Sequence, residues 1–517
     1  VQIQPAKATG FKGSTAGLTT GQFNWAALAT TLGLFVTFVL GLAVIQFASP
    51  NLVGNDGYFH IKFAQVMHQQ GLIPDFIWLP VTILNRQDFY DHHFLFHVLM
   101  IPFTFGDLRL GAKWMSIIFP ALAFLAGYGL LRSQRVPYAA LWSLGFLGLS
   151  EPFLYRMSMP RVQSVSLLML FLMLHVLLLR QYRWLLPLSF VFIWLYDAFP
   201  LVLLLMGVYV AVRWLLDKKL EMAPLLYTLA GLLLGVLVNP YFPNNIRFMY
   251  HHILPKLFET TAISVGGEWY PYRTWSLVEN SGLALLAFVA GAFALGLSER
   301  RIETRTAVLM GLAVGFGLML FKSRRFVEYY PPFALLFCAL AWTPLFEQWR
   351  KQRSWMDIFL AVALLLILGG GIWYNGQAVR QQVQESSPYD RFAGAAGWLQ
   401  KNTPPGTLVF QTDWDDFTWL YFYNTHNRYT AGLDPTYMQT YNAGLYEEWR
   451  AITRGWVKNP ARLIATKFKS GYVVTDLGHN EFLAVAQADP DLQQVYRDQY
   501  AAVFLVLTEP DKWHRDY

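Results

Sequence analysis

The chain has 517 residues, of which 55% are hydrophobic and only 14% charged. That is well below the roughly 25% charged residues of a soluble domain, and it excludes an ordinary soluble enzyme. The formal net charge of +7 sits largely in short basic loops and is no nucleic-acid signal, and the single cysteine, Cys338, excludes an intrachain disulfide framework.

Apolar stretches long enough to cross a bilayer as helices recur along the first 375 positions. Eleven spans are predicted, at 25–48, 108–131, 137–153, 162–179, 184–196, 199–216, 222–238, 282–298, 304–321, 330–347 and 355–374. The first is too long for a signal-peptide core and reads as a retained span. Phe94 to Phe105 is apolar but short, and reads as interfacial or re-entrant. Residues 375–517 change character. Tyr389 to Gln400 reads as a helix, and Thr407 to Gln411, Tyr472 to Thr475 and Ala502 to Leu507 read as strands. The fold class is thus a polytopic α-helical membrane protein of about eleven spans, residues 1–374, with a C-terminal external α/β domain, residues 375–517.

Sidedness follows from the basic residues. Arg132 and Arg135, Arg180 and Arg183, Arg213, Lys218 and Lys219, Arg300, Arg301 and Arg305, and Arg350, Lys351 and Arg353 fall in five alternating short connections. The positive-inside rule makes that side cytoplasmic. The opposite, external face then receives the long loops 49–107 and 239–281, the C-terminal domain, and nearly every group able to do chemistry. The expected location is the cytoplasmic membrane, with the site outside it.

In the first loop, Asp56 and His60 are four apart and share a helix face, although Asn55-Asp56-Gly57 is also a plain helix-start or turn signal. Asp91, His92 and His93 offer oxygen and nitrogen ligands to a divalent cation. The alternative is a hydrated loop end. His93 and His97 are spaced as in zinc helices, but the glutamate of HExxH is missing. In the second loop, Ser264-Val265-Gly266-Gly267-Glu268 places an acid after a flexible pair, either to present it to a ligand or to make a turn. Arg324 and Arg325 end a span, suited to snorkelling or to gripping a phosphate. Thr412-Asp413-Trp414-Asp415-Asp416 follows a strand, where it either caps a helix or lines a site.

In this order and on one face, these elements resemble the GT-C membrane glycosyltransferases, and in particular the catalytic subunit of oligosaccharyltransferase. The resemblance implies that Asp56, Asp91, His93 and Glu268 hold Mg²⁺ or Mn²⁺, with Asp56, Asp91 and Glu268 catalytic. It implies that Arg324 or Arg325 holds the phosphate of a polyprenyl-linked sugar donor and that Trp414 and Asp415 bind the acceptor, a protein or a glycan. Membrane lipids and partner subunits are the other expected partners, and nucleic acid is not one. The sequence departs from that family in three places. Both acidic motifs lie in one loop, SVGGE carries an extra residue, and Asp413 stands where the family's WWD has its first Trp. A non-catalytic GT-C-like scaffold subunit and a lipid-linked sugar transporter are the alternatives. The transporter is disfavoured because His175 is nearly alone as an ionisable group within a span.

Overall fold

The computed structural model describes residues 24–253, 266–352 and 355–507. Among the described residues six helices are long and apolar enough to cross a membrane: Trp25–Gln46, Leu108–Ser133, Pro200–Asp217, Thr274–Leu297, Thr304–Lys322 and Trp355–Gln384. These make the chain a multi-pass membrane protein. The first shows how such a helix is specified. Asn24 caps it by accepting from the Ala27 amide at 3.0 Å, and Leu34, Phe38, Leu42 and Ile45 bury one narrow stripe. The rest of its surface is apolar and exposed, as a lipid-facing helix requires.

The other five predicted spans take different forms. Those at 162–179, 184–196 and 222–238 are shorter apolar helices, and Tyr330–Gln352 is a helix of 23 residues that is less apolar. The stretch 137–153 is not one helix. It breaks into Ala139–Leu144, a 3₁₀ turn Gly145–Leu147 and a new helix Glu151–Met157. The cause is local: Ser150 caps the second helix, accepting from the Phe153 amide at 3.3 Å. Gly148 lies so close to the helix Trp355–Gln384 that a Cβ there would sit 2.7 Å from the Ile372 nitrogen. Phe94 to Thr104 forms seven α-helical and four 3₁₀ residues, too few to span.

The last long helix runs past residue 375 to Gln384, so the compositional boundary falls inside an element. Beyond it lies a five-stranded sheet: β1 (Leu408–Gln411), β2 (Arg428–Tyr429), β3 (Tyr472–Asp476), β4 (Leu492–Arg497) and β5 (Ala501–Val506), in the order β2-β1-β3-β5-β4. β1 pairs in parallel with β2 and β3, whereas β5 is antiparallel to β3 and β4.

This domain is fastened to the first long loop. The Trp78 indole donates to the Thr425 carbonyl and the Tyr429 amide donates to the Trp78 carbonyl, both at 2.8 Å. Tyr58 packs on Trp419 and Phe59 on Tyr421, with ring centroids 5.4 and 5.5 Å apart. The loop after β1 therefore faces the helix that begins at Asp56.

Candidate active site

Asp56 is the first residue of the helix Asp56–Gln70, and Asn55 holds the cap position. A carboxylate in the first turn suits the helix dipole, yet it is turned to a partner from another segment. Arg161 lies in the turn between the helices Glu151–Met157 and Gln163–Leu178, and its guanidinium forms an ion pair with Asp56 at 2.9 Å. Gly57 makes this approach possible, because a Cβ there would lie 2.0 Å from Cγ of Pro160.

Glu268 sits on the 3₁₀ turn Gly267–Trp269, entered through Gly266 at φ +94°. That angle is open to glycine and strained for other residues. Ser264 and Val265 of the same motif lie outside the described residues. The turn is stitched to the segment Arg324–Glu328. The Ser323 hydroxyl donates to the Glu268 carbonyl at 2.9 Å, and the Arg324 amide donates to the Tyr270 carbonyl at 3.0 Å.

Three guanidiniums converge on the Glu268 carboxylate: Arg156 at 2.9 Å, Arg325 at 3.0 Å and Arg161 at 3.4 Å. Burial opposes the charge on Glu268, but Arg161, Arg325 and Arg156 outweigh it and hold its pKa well below the usual carboxylate range. Arg156 is also paired with Glu328, whose side chain is wholly buried. Such a pair is costly to break from one side. Replacing Glu328 by alanine is expected to destabilise the protein by roughly 3 kcal/mol, read as a fall in apparent Tm in detergent.

The arginine pair splits. Arg325 turns inward, with its second guanidinium nitrogen donating to the Tyr196 hydroxyl at 2.7 Å. Arg324 turns outward, over the Tyr272 ring and onto the Pro271 carbonyl.

Asp91 takes another role from the one expected of a metal ligand. It is buried; one carboxylate oxygen accepts from the His93 amide at 3.0 Å and the other from His97 Nδ1 at 2.7 Å. His97 Nε2 in turn meets His60 Nδ1 at 2.8 Å. The carboxylate fixes the proton on His97 Nδ1, so His97 Nε2 accepts and His60 Nδ1 donates. Burial keeps the pKa values of His60 and His93 well below the ordinary histidine value.

Asp56, His60, His93, Arg161, Glu268, Arg325, Trp414 and Asp415 line one cavity of about 430 Å³, together with Asp434 and Tyr437. Asp91 and Arg324 are outside its lining. Asp416, next to Asp415 in the chain, is buried and turned towards Arg391. Asp415 is the unusual acid. Burial, then the nearby charges of Asp56 and Asp413, push its pKa up to about 7.

The expected Mg²⁺ or Mn²⁺ set does not assemble. Among the described residues no three His, Cys, Asp or Glu side chains form a metal-binding group. Asp56 and Glu268 both engage Arg161, and Asp91 engages His97. Arg156, Glu328 and Tyr196 belong to the site without having stood out in the sequence. Arg156 and Glu328 are 172 positions apart; Glu328 follows the arginine pair by three residues, and nothing local signals that it pairs with Arg156.

The fold that holds this cavity is shared with solved structures of an archaeal oligosaccharyltransferase and of ArnT. The chain superposes on the oligosaccharyltransferase of Archaeoglobus fulgidus in its apo form with a TM-score of 0.64 and 15% identity, over 90% of this chain and 72% of that one. It matches AglB of Archaeoglobus fulgidus, in complex with an inhibitory peptide and a dolichol-phosphate, equally well at 16% identity. ArnT of Cupriavidus metallidurans bound to undecaprenyl phosphate gives 0.57 at 16% identity, over 92% of this chain and 97% of that one. No protein-family model and no curated protein sequence matches the chain.

Proposed function

We propose that the chain transfers a sugar or oligosaccharide from a polyprenyl-phosphate or -pyrophosphate donor to a protein, lipid or glycan acceptor at the external face of the membrane. The observation that carries this reading is the single cavity in which partly buried arginines face an acid whose pKa is near 7. The fold likeness supports it, since the solved relatives include complexes with dolichol-phosphate and undecaprenyl phosphate.

The chemistry follows from the side chains. Arg325 and Arg161 offer forked donors to the oxygens of a lipid-linked phosphate. Met319 and Phe326 give the cavity an apolar wall at the end of the helix Thr304–Lys322. On that helix Leu318 and Phe321 are exposed, a surface suited to a prenyl chain lying in the bilayer. Trp414 and Asp415 face the same space from the C-terminal domain, where they meet an acceptor. The acceptor's nucleophile attacks the anomeric carbon and the bond from that carbon to the phosphate oxygen breaks. The phosphate leaves with the electron pair, its charge met by the guanidiniums. The nucleophile's proton passes to a carboxylate, for which Asp415 has the matched pKa. Asp56, held by Arg161, sets the charge beside it.

The test is transfer of a labelled sugar from a polyprenyl-phosphate donor by the purified full chain. Asp56→Ala is expected to lower the rate by at least ~10²-fold. An unchanged rate in that variant sinks the assignment, as does a wild type that neither binds nor consumes any lipid-linked donor.

A further inference from the structure

We propose that Arg161 takes the place of a divalent cation in this cavity, so that the reaction runs on a fixed guanidinium and needs no metal. The inference rests on the transferase reading above for its activity arm, and on geometry alone for its binding arm.

Asp56 and Glu268 come from segments more than 200 positions apart, and each is an acid of the kind that holds Mg²⁺ or Mn²⁺. Between them stands one planar side chain. Arg161 Nη2 is 2.9 Å from Asp56 Oδ2, and Arg161 Nη1 is 3.4 Å from Glu268 Oε2. A guanidinium bridges two carboxylates by two separate nitrogens, which is the linking job a bound cation performs.

The bridge is built into the backbone. Pro160 fills the space where any side chain at position 57 would have its Cβ, and Met159 lies 3.4 Å from the corresponding point of Gly54. The turn carrying Arg161 is thereby pressed against the start of the helix carrying Asp56. A larger residue at position 57 would push the two apart.

The surroundings reject a dication. Arg156 and Arg325 already hold Glu268 at 2.9 and 3.0 Å, so an entering metal ion would meet three guanidiniums at close range. The remaining nearby acid of the expected set, Asp91, spends both oxygens on the His93 amide and His97. Asp415, with its pKa near 7, is a poor partner for a hard cation at neutral pH. Three guanidiniums face the three carboxylates of Asp56, Glu268 and Glu328, so the acids are balanced by fixed charge and need no bound ion to neutralise them.

The experiment has two arms, each on the purified full chain in detergent. The first titrates Mn²⁺ and follows its free electron-paramagnetic-resonance signal, with no sugar transfer involved. The expected result is no saturable uptake up to ~1 mM. Stoichiometric uptake by the wild type that is lost in Asp56→Asn overturns the proposal. The second measures transfer after exhaustive chelation. Rates with chelator, Mg²⁺ and Mn²⁺ are expected to agree, and Arg161→Gln is expected to lose ~10²–10³-fold under all three conditions. A loss of more than about tenfold on chelation, restored by Mn²⁺, overturns it, and so does full activity in Arg161→Gln. Because the first arm reads binding alone, its outcome stands even where the chain transfers no sugar.

Discussion

Arg325→Ala is expected to slow sugar transfer by ~10²–10³-fold, the loss typical of removing one preorganised donor to a developing oxyanion. Arg325 is the guanidinium most fully committed to the cavity. It donates to Glu268 at 3.0 Å and to Tyr196 at 2.7 Å, and it stacks 4.9 Å from the Trp269 ring centroid. These contacts fix a planar fork in one orientation before any donor arrives. Lysine has the charge but neither the plane nor the fork, so Arg325→Lys is expected to recover only a small part of the rate. Arg324→Ala is the matched comparison. That side chain points away, over Tyr272 and onto the Pro271 carbonyl, and its loss is expected to change the rate by less than about threefold. Initial rates with a labelled lipid-linked donor, taken beside melting curves of each variant, decide the matter. Equal losses at 324 and 325 would mean that the cavity is not where the phosphate binds.

The contrast between these two neighbours shows what the sequence held and what it did not. That an arginine pair ends a span was readable, and so was the side on which it falls. Which of the two turns inward was not, because it depends on Ser323 and Arg324 being stitched to the loop of Glu268, a contact across more than 50 positions. The same distinction runs through the fold. The long apolar helices and three of the five strands were legible because periodicity is local. β2 and β4 were not, since one has two residues and the other is largely polar. Asp91 looked like a metal ligand because its residue type and its neighbours His92 and His93 permit that chemistry. Its actual partner, His97, lies one helical turn beyond His93, and the two are paired away from the cavity lining. Nothing local signals that Arg161 bridges two acids from distant segments. Pro160 over Gly57 is a packing fact, visible only when the two helices meet.

Asp415 carries the second large expectation. Its pKa of about 7 means that the carboxylate is half protonated near neutrality, and only the deprotonated form accepts a proton from the acceptor. The pH profile of kcat/KM should therefore rise through about 7 and level off above it. Asp415→Asn should remove that rise and lower the plateau by ~10²–10⁴-fold. A second readout is independent of turnover. The folded-state pKa is raised above the unfolded value of 3.8, so between that value and about 7 the folded protein holds a proton that the unfolded chain has released. Stability therefore falls as pH rises through this window and is flat above it. Asp415→Asn abolishes this contribution, and its apparent Tm should gain on the wild type as pH climbs towards 7. If the rate still rises through 7 in Asp415→Asn while its Tm follows the expected course, the proton goes to another base. That base is not His60, which borders the same cavity but is held by burial well below the ordinary histidine pKa.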